Sequence, residues 1–141
     1  FEHGMINAGG DLVAMTGEGE KPWKVGIRHP QRAGSIAWLE STGVEAVFTS
    51  GNYERYRESV GRRYPHIIDP RTGYPVEEIA SATVIHSNGA VADAAATALV
   101  VAGRDNWRGV AERMDIRHAM VVDETGTIEM TPEMSHRVQI V

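Results

Sequence analysis

Apolar and polar residues alternate with period two through much of the first half of the chain, as expected for strands with one buried face. Residues 23–28, Trp-Lys-Val-Gly-Ile-Arg, are the clearest case, and His29-Pro30 closes the run. Residues 4–8 and 12–16 read as two strands joined by a tight turn at Gly9-Gly10-Asp11, and residues 18–22 as a polar loop. Residues 35–40 and 44–49 are further strands, separated by the turn Ser41-Thr42-Gly43. His66-Ile67-Ile68 forms a short strand entering a turn, and the β-branched run at 81–86 predicts a central strand. Residues 52–60 fit a helix or an irregular strand equally, because Tyr53 and Tyr56 suit either spacing.

The pattern changes at residue 90. Residues 90–102, AVADAAATALVVA, are alanine-rich and free of Gly and Pro, which predicts the best helix in the chain, ended by Gly103. Asp105 is placed to cap a second helix at 107–114. Two closing strands, 118–123 and 127–131, follow around a turn at Glu124-Thr125-Gly126. Many antiparallel strands with a late helix pair predict an α+β layer fold.

The formal net charge of −5, with no basic run, argues against a nucleic-acid partner. It also means that an anionic ligand would need a local device such as a metal ion. With no cysteines, disulfides, thiolate zinc sites and a cysteine nucleophile are excluded. No apolar run approaches the ~20 residues of a spanning helix, and no signal peptide opens the sequence. The start, FEHGMINAGGDL, lacks an initiator Met and reads as the middle of a strand, so a fragment of a longer domain is expected.

Four stretches hold candidate chemistry. In INAGGD, residues 6–11, two glycines, an amide and a carboxylate make either a plain hairpin turn or a backbone cradle for a ligand. In HIIDPRTG, residues 66–73, turn chemistry accounts for Asp69, Pro70 and Gly73. It leaves His66 as a structural histidine, a general base or a ligand contact near the turn, and Arg71 without a role. Asp93 and Thr97 are four apart on a helix, a hard oxygen pair suited to Mg²⁺. The alternative reading has Asp93 serving the helix dipole from the first turn while Thr97 bonds back to the carbonyl of residue 93. Residues 49–53, TSGNY, are a polar binding loop or a turn with a helix cap. The remaining histidines lack zinc-ligand spacing, the tryptophans look like core or interface residues, and Ser35, Ser41, Ser50 and Ser59 have no adjacent base that would mark a nucleophile.

Taken in order, NAGGDL, WKVGIRHP, TSGNYERY, YPHIIDPRTGYPV, SATVI and ADAAATAL followed by a glycine resemble the C-terminal half of the ApbE family. The resemblance covers residues 4 to about 103, and the HIIDPRTG and ADxxxT blocks are its most diagnostic parts. It implies a T-fold-like α+β fold, of which residues 1–141 are the C-terminal portion of a single domain. It also implies Mg²⁺-dependent transfer of FMN from FAD to a Thr or Ser hydroxyl of an acceptor protein, with release of AMP. An FAD pyrophosphatase and a non-catalytic flavin-binding module are the alternatives. By the same resemblance Asp93 and Thr97 hold Mg²⁺, Ile68 contacts flavin through its backbone, and His66 stands near the reacting phosphate as the base. Arg71 holds phosphate or the acceptor peptide, and Asp69 is left to the turn. The implied partner is a flavin-carrying subunit of a redox pump or a similar acceptor. The implied location is the periplasmic side of the membrane, on a lipoprotein whose anchor lies upstream. The family's N-terminal half normally supplies much of the FAD pocket, so these residues hold half a site.

Overall fold

The computed structural model describes residues 2–53, 56–59 and 61–141, with backbone alone for 56–59, 62 and 63. Its strands are β1 (Gly4–Ala8), β2 (Asp11–Met15), β3 (Lys24–Arg28), β4 (Ser35–Glu40), β5 (Val44–Gly51), β6 (Tyr56–Ser59), β7 (Arg62–Pro65) and β8 (Ile79–His86). Helices α1 (Gly89–Ala102) and α2 (Trp107–Arg113) follow, then β9 (His118–Asp123), β10 (Ile128–Met130), α3 (Pro132–Ser135) and β11 (Val138–Ile140). Six strands form a sheet in the order β1-β2-β5-β8-β9-β10, and three form a second in the order β11-β4-β3. Every strand pairing in both sheets is antiparallel. The fold is α+β, as the periodicity predicts.

Strand parity explains the layering, because successive side chains leave opposite faces of a sheet. Ala46, Ala82, Val84, Ala119 and Val121 face the helices and pack with Ala92, Ala96, Leu99 and Trp107. Their neighbours Val47, Ile85, Met120 and Val122 face the three-stranded sheet and pack with Val25, Ile27, Leu39 and Val138. The large sheet is therefore covered on both faces, which is why β8 is buried along nearly its whole length.

Helix α1 starts where Asn88 turns its side chain onto the N–H groups of Ala90 and Val91, a sound N-cap. Asp93 consequently lies beyond the first turn, so the helix-dipole reading of that residue does not hold. The capping position of α2 is Asn106, not Asp105, and it makes no side-chain cap bond. The Gly103 carbonyl already accepts from the N–H groups of Asn106 and Trp107, and that turn sets the start of the helix.

Two expectations shift around the central turn. Residues 66–68 make no strand, and Ile68 forms only a single bridge to Pro75. The backbone of Asp69 is already committed, its carbonyl accepting from Thr72 and Gly73 and its N–H donating to Tyr74. The strand lies earlier, in the β6–β7 hairpin. Within the ambiguous stretch 52–60, residues 56–59 are extended, while Glu54, Arg55 and Val60 lie outside the described residues. At the end of the chain α3 and β11 join the two expected strands; Thr131 caps α3 and Pro132 opens it.

Candidate active site

Four separate segments meet at a cleft of about 510 Å³. The β1–β2 turn brings Gly9 and Asp11, the end of β5 brings Thr49, Ser50 and Gly51, the stretch after β7 brings His66 and Ile68, and α1 brings Asp93 and Thr97. Four of the five sequence-predicted site residues thus share one wall, although 31 positions separate His66 from Thr97 in the chain.

Local structure dictates each placement. His66 and Ile68 flank Ile67, and while Ile67 is buried in the helix-side core both of its neighbours are exposed. His66 is exposed at the cleft. Ile68 is 46% exposed, an apolar side chain left open at the cleft while its neighbour fills the core. On α1, Ala92, Ala95 and Ala96 pack fully against the sheet, and their small size brings the helix close enough to set Asp93 and Thr97 beside the strand ends.

Thr97 does not bond back to its own helix. Its hydroxyl pairs with the hydroxyl of Ser50 at 2.8 Å, across from α1 to β5. The Gly9–Gly10 segment is both a hairpin turn and a cleft wall. Asn7 accepts from the N–H of Gly10 to close the turn, and φ at Gly10 is 111°. The TSGNY stretch is no helix cap. Thr49 to Gly51 belong to β5, and Asn52 donates to the carbonyls of Val76 and Ile79.

Arg71 lies apart from the other four. Its guanidinium forks onto Asp69, with Nε to Oδ1 at 2.9 Å and Nη2 to Oδ2 at 2.8 Å, and Nη2 also donates to the carbonyl of Val101. These groups border a neighbouring hollow of about 380 Å³ at the C-terminal end of α1. The hydrogen bonds from Arg71 hold the Asp69 carboxyl below its ordinary range, and Asp69 in turn raises the guanidinium's already high value. Asp69 belongs to the turn, as its residue type predicts.

The donor set suits a hard cation. A carboxylate from Asp93 and a hydroxyl from Thr97 are oxygen ligands on one helix face, and the cleft adds the carboxylate of Asp11 to its wall. Among the described residues no group of three or more His, Cys, Asp or Glu is arranged to hold a metal by itself. Such a pair fits Mg²⁺, which keeps several waters and takes substrate phosphate oxygens to complete its octahedron.

Asp11 and Ser50 stand within the INAGGD and TSGNY stretches, but no local motif marks either one as a site residue. Parity could have found Ser50, since Ala46 and Phe48 at the two preceding same-face positions both pack toward the helices.

Comparison with known proteins bears on the family and the fold. The sequence model of the ApbE family matches residues 1–121. An FAD:protein FMN transferase from Rhodobacter capsulatus is 43% identical over 137 residues, covering 97% of this chain and 26% of the relative. The crystal structure of the ApbE protein from Thermotoga maritima superposes with a TM-score of 0.86 at 37% identity, covering 96% of this chain and 44% of that one. The flavin transferase ApbE from Vibrio cholerae gives 0.77 at 30% identity, again over 96% and 44%. The chain therefore spans less than half the length of each of these three proteins.

Proposed function

Because the chain belongs to the ApbE family, we propose that it carries the cation and proton-transfer wall of an enzyme moving FMN from FAD to a Thr or Ser hydroxyl of an acceptor protein. In this reading residues 1–141 are the C-terminal portion of a single domain, and the rest of that domain closes the flavin pocket. The observation that carries the proposal is the convergence of His66, Asp93 and Thr97 on one cleft from two distant segments.

The acceptor oxygen attacks the phosphorus that bears riboflavin. A new ester bond forms, the bond from that phosphorus to the bridging oxygen breaks, and the electron pair leaves with AMP. His66 accepts the proton of the incoming hydroxyl. Ile68 offers its exposed face and backbone to the flavin. Asp93 and Thr97 would hold Mg²⁺, which would supply charge neutralisation to pyrophosphate oxygens and the anion affinity that a net charge of −5 withholds. Arg71, already forked onto Asp69, serves at the rim, where it meets phosphate or acceptor peptide only by sharing itself with that carboxylate. We assign the reaction to the periplasmic side of a membrane, with a subunit of a redox pump or similar flavin carrier as acceptor and a lipid anchor outside these residues.

The deciding experiment incubates the full-length gene product with FAD, Mg²⁺ and a peptide carrying threonine in a Ser/Thr-Gly-Ala-Thr context. AMP release and the mass of the peptide are followed together. A Mg²⁺-dependent gain of one FMN by the peptide is expected, lost in Asp93→Ala. His66→Ala should slow transfer about 10²- to 10⁴-fold with little change in FAD binding. AMP release from FAD with the peptide left unmodified would make the enzyme a pyrophosphatase, and FAD binding without AMP release would leave a binding module.

A further inference from the structure

We propose, on the reading that Asp93 and Thr97 take up a divalent cation, that Ser50 is a positioning residue of that site, receiving the Thr97 hydroxyl proton so that a Thr97 lone pair is left facing the cation. A threonine hydroxyl has one proton and two lone pairs. When one lone pair is given to a metal, the proton must point elsewhere and needs an acceptor. Within a helix the usual acceptor is the carbonyl one turn earlier, and that bond swings the hydroxyl along the helix surface. Here the hydroxyl of Thr97 is paired instead with Ser50 at 2.8 Å, on a different element and 47 positions away. That pairing selects the rotamer in which the oxygen lies in the gap between α1 and β5, at the cleft.

Ser50 is itself well held. It continues the helix-facing series Ala46 and Phe48, so an apolar residue would extend the core at this position, and a hydroxyl stands there instead. Directly after it, the backbone of Gly51 runs so close to β8 that a Cβ would come within 2.9 Å of the Ala80 carbonyl oxygen and 2.5 Å of the Tyr53 ring. Strand pairing of Ser50 with Ala82 and of Gly51 with Ser81 fixes the register. The serine oxygen is thus a fixed point against which the helix hydroxyl is oriented, the arrangement by which an outer partner tunes a metal ligand. Ser50 touches neither substrate nor cation in this scheme and acts only through Thr97.

The test uses Mn²⁺ as the probe, with free Mn²⁺ read by electron paramagnetic resonance during titration of the full-length gene product, and melting measured without metal. Wild type, Ser50→Ala, Ser50→Thr and Thr97→Val are compared. Ser50→Ala should bind Mn²⁺ about 10-fold more weakly, with its metal-free melting temperature unchanged. Ser50→Thr, which keeps the hydroxyl on a strand that tolerates β-branching, should retain wild-type affinity, and Thr97→Val should lose binding more completely. Wild-type affinity in Ser50→Ala, or equal loss in Ser50→Thr, would overturn the role of Ser50 while leaving the cation site intact. Failure of wild type to take up Mn²⁺ would overturn the cation site itself, and the role of Ser50 with it.

Discussion

Glu45 is a buried carboxylate with every hydrogen bond supplied from within the fold. It is 8% exposed, yet it accepts from the N–H and hydroxyl of Thr42, both at 2.9 Å, and from both terminal nitrogens of Arg137, at 2.8 and 3.0 Å. Burial alone would raise its pKa. The hydrogen bonds from Arg137 and Thr42 outweigh burial and hold it below the usual glutamate value of 4.5. A carboxylate depressed in the fold stabilises at neutral pH and loses that contribution as pH falls through its folded pKa. Arg137→Met should therefore cost about 2–4 kcal/mol at pH 7, where it strands a largely buried charge. The cost should shrink as pH falls from 7, first as the unpaired Glu45 of the mutant takes up a proton and then as wild type passes through its own depressed folded pKa. Urea unfolding of both proteins across that range checks the sign. None of this was readable in VEAVF, where a glutamate within an apolar strand looks solvent-facing, because its partner lies 92 positions away. Asp69 is the opposite case, since its partners lie within five residues and its turn role follows from residue type.

At the scale of elements, helix α1 was legible almost to the residue, because its start and stop are local. Asn88 caps one end and Gly103 ends the other, with φ 76° and ψ 176°, a region that essentially only glycine occupies. A Cβ there would also fall 2.5 Å from a Glu78 carboxylate oxygen, the one that accepts the N–H of Arg104. Gly103→Ala should lower stability by about 1–3 kcal/mol, measured as a shifted urea midpoint, while Mn²⁺ affinity at Asp93 and Thr97 stays unchanged. A loss of binding at wild-type stability would contradict it. The β6–β7 hairpin and the displaced strand at 66–68 were not legible. An isoleucine pair looks like a strand whether or not its backbone is free to pair, and only the hydrogen bonds of the turn decide that.

For the whole molecule, the consequential feature is one sheet shared by two cores. Strand β8 sends Val84 to the helix side and Ile85 to the sheet side, so neither core can open without exposing the other face of the same strands. Leu99→Ala on the helix side and Met120→Ala on the sheet side should each cost about 2–5 kcal/mol. Unfolding should remain a single transition in both variants. The tryptophans provide the probes, since Trp107 is buried among the helices and Trp23 packs against the sheet-side core. Single-tryptophan proteins retaining one or the other should show coincident urea midpoints; separated midpoints would mean that the layers fold independently.

By itself the sequence determined what depends on neighbours in the chain: the period-two strands, the long helix and its stop, the Asp69 turn, and the (i, i+4) spacing that puts Asp93 and Thr97 on one helix face. The ordered motifs added the family. Tertiary structure decided what depends on packing between segments: that His66 and the Asp93–Thr97 pair share a cleft, that Arg71 is drawn away from it by Asp69, and that the Thr97 hydroxyl pairs with Ser50 rather than with a helix carbonyl. The physical reason is reach. Turn and helix signals act over a few residues, whereas the close approach of α1 to β5 arises only when alanines such as Ala92 and Ala96 meet Ala46 across the finished sheet.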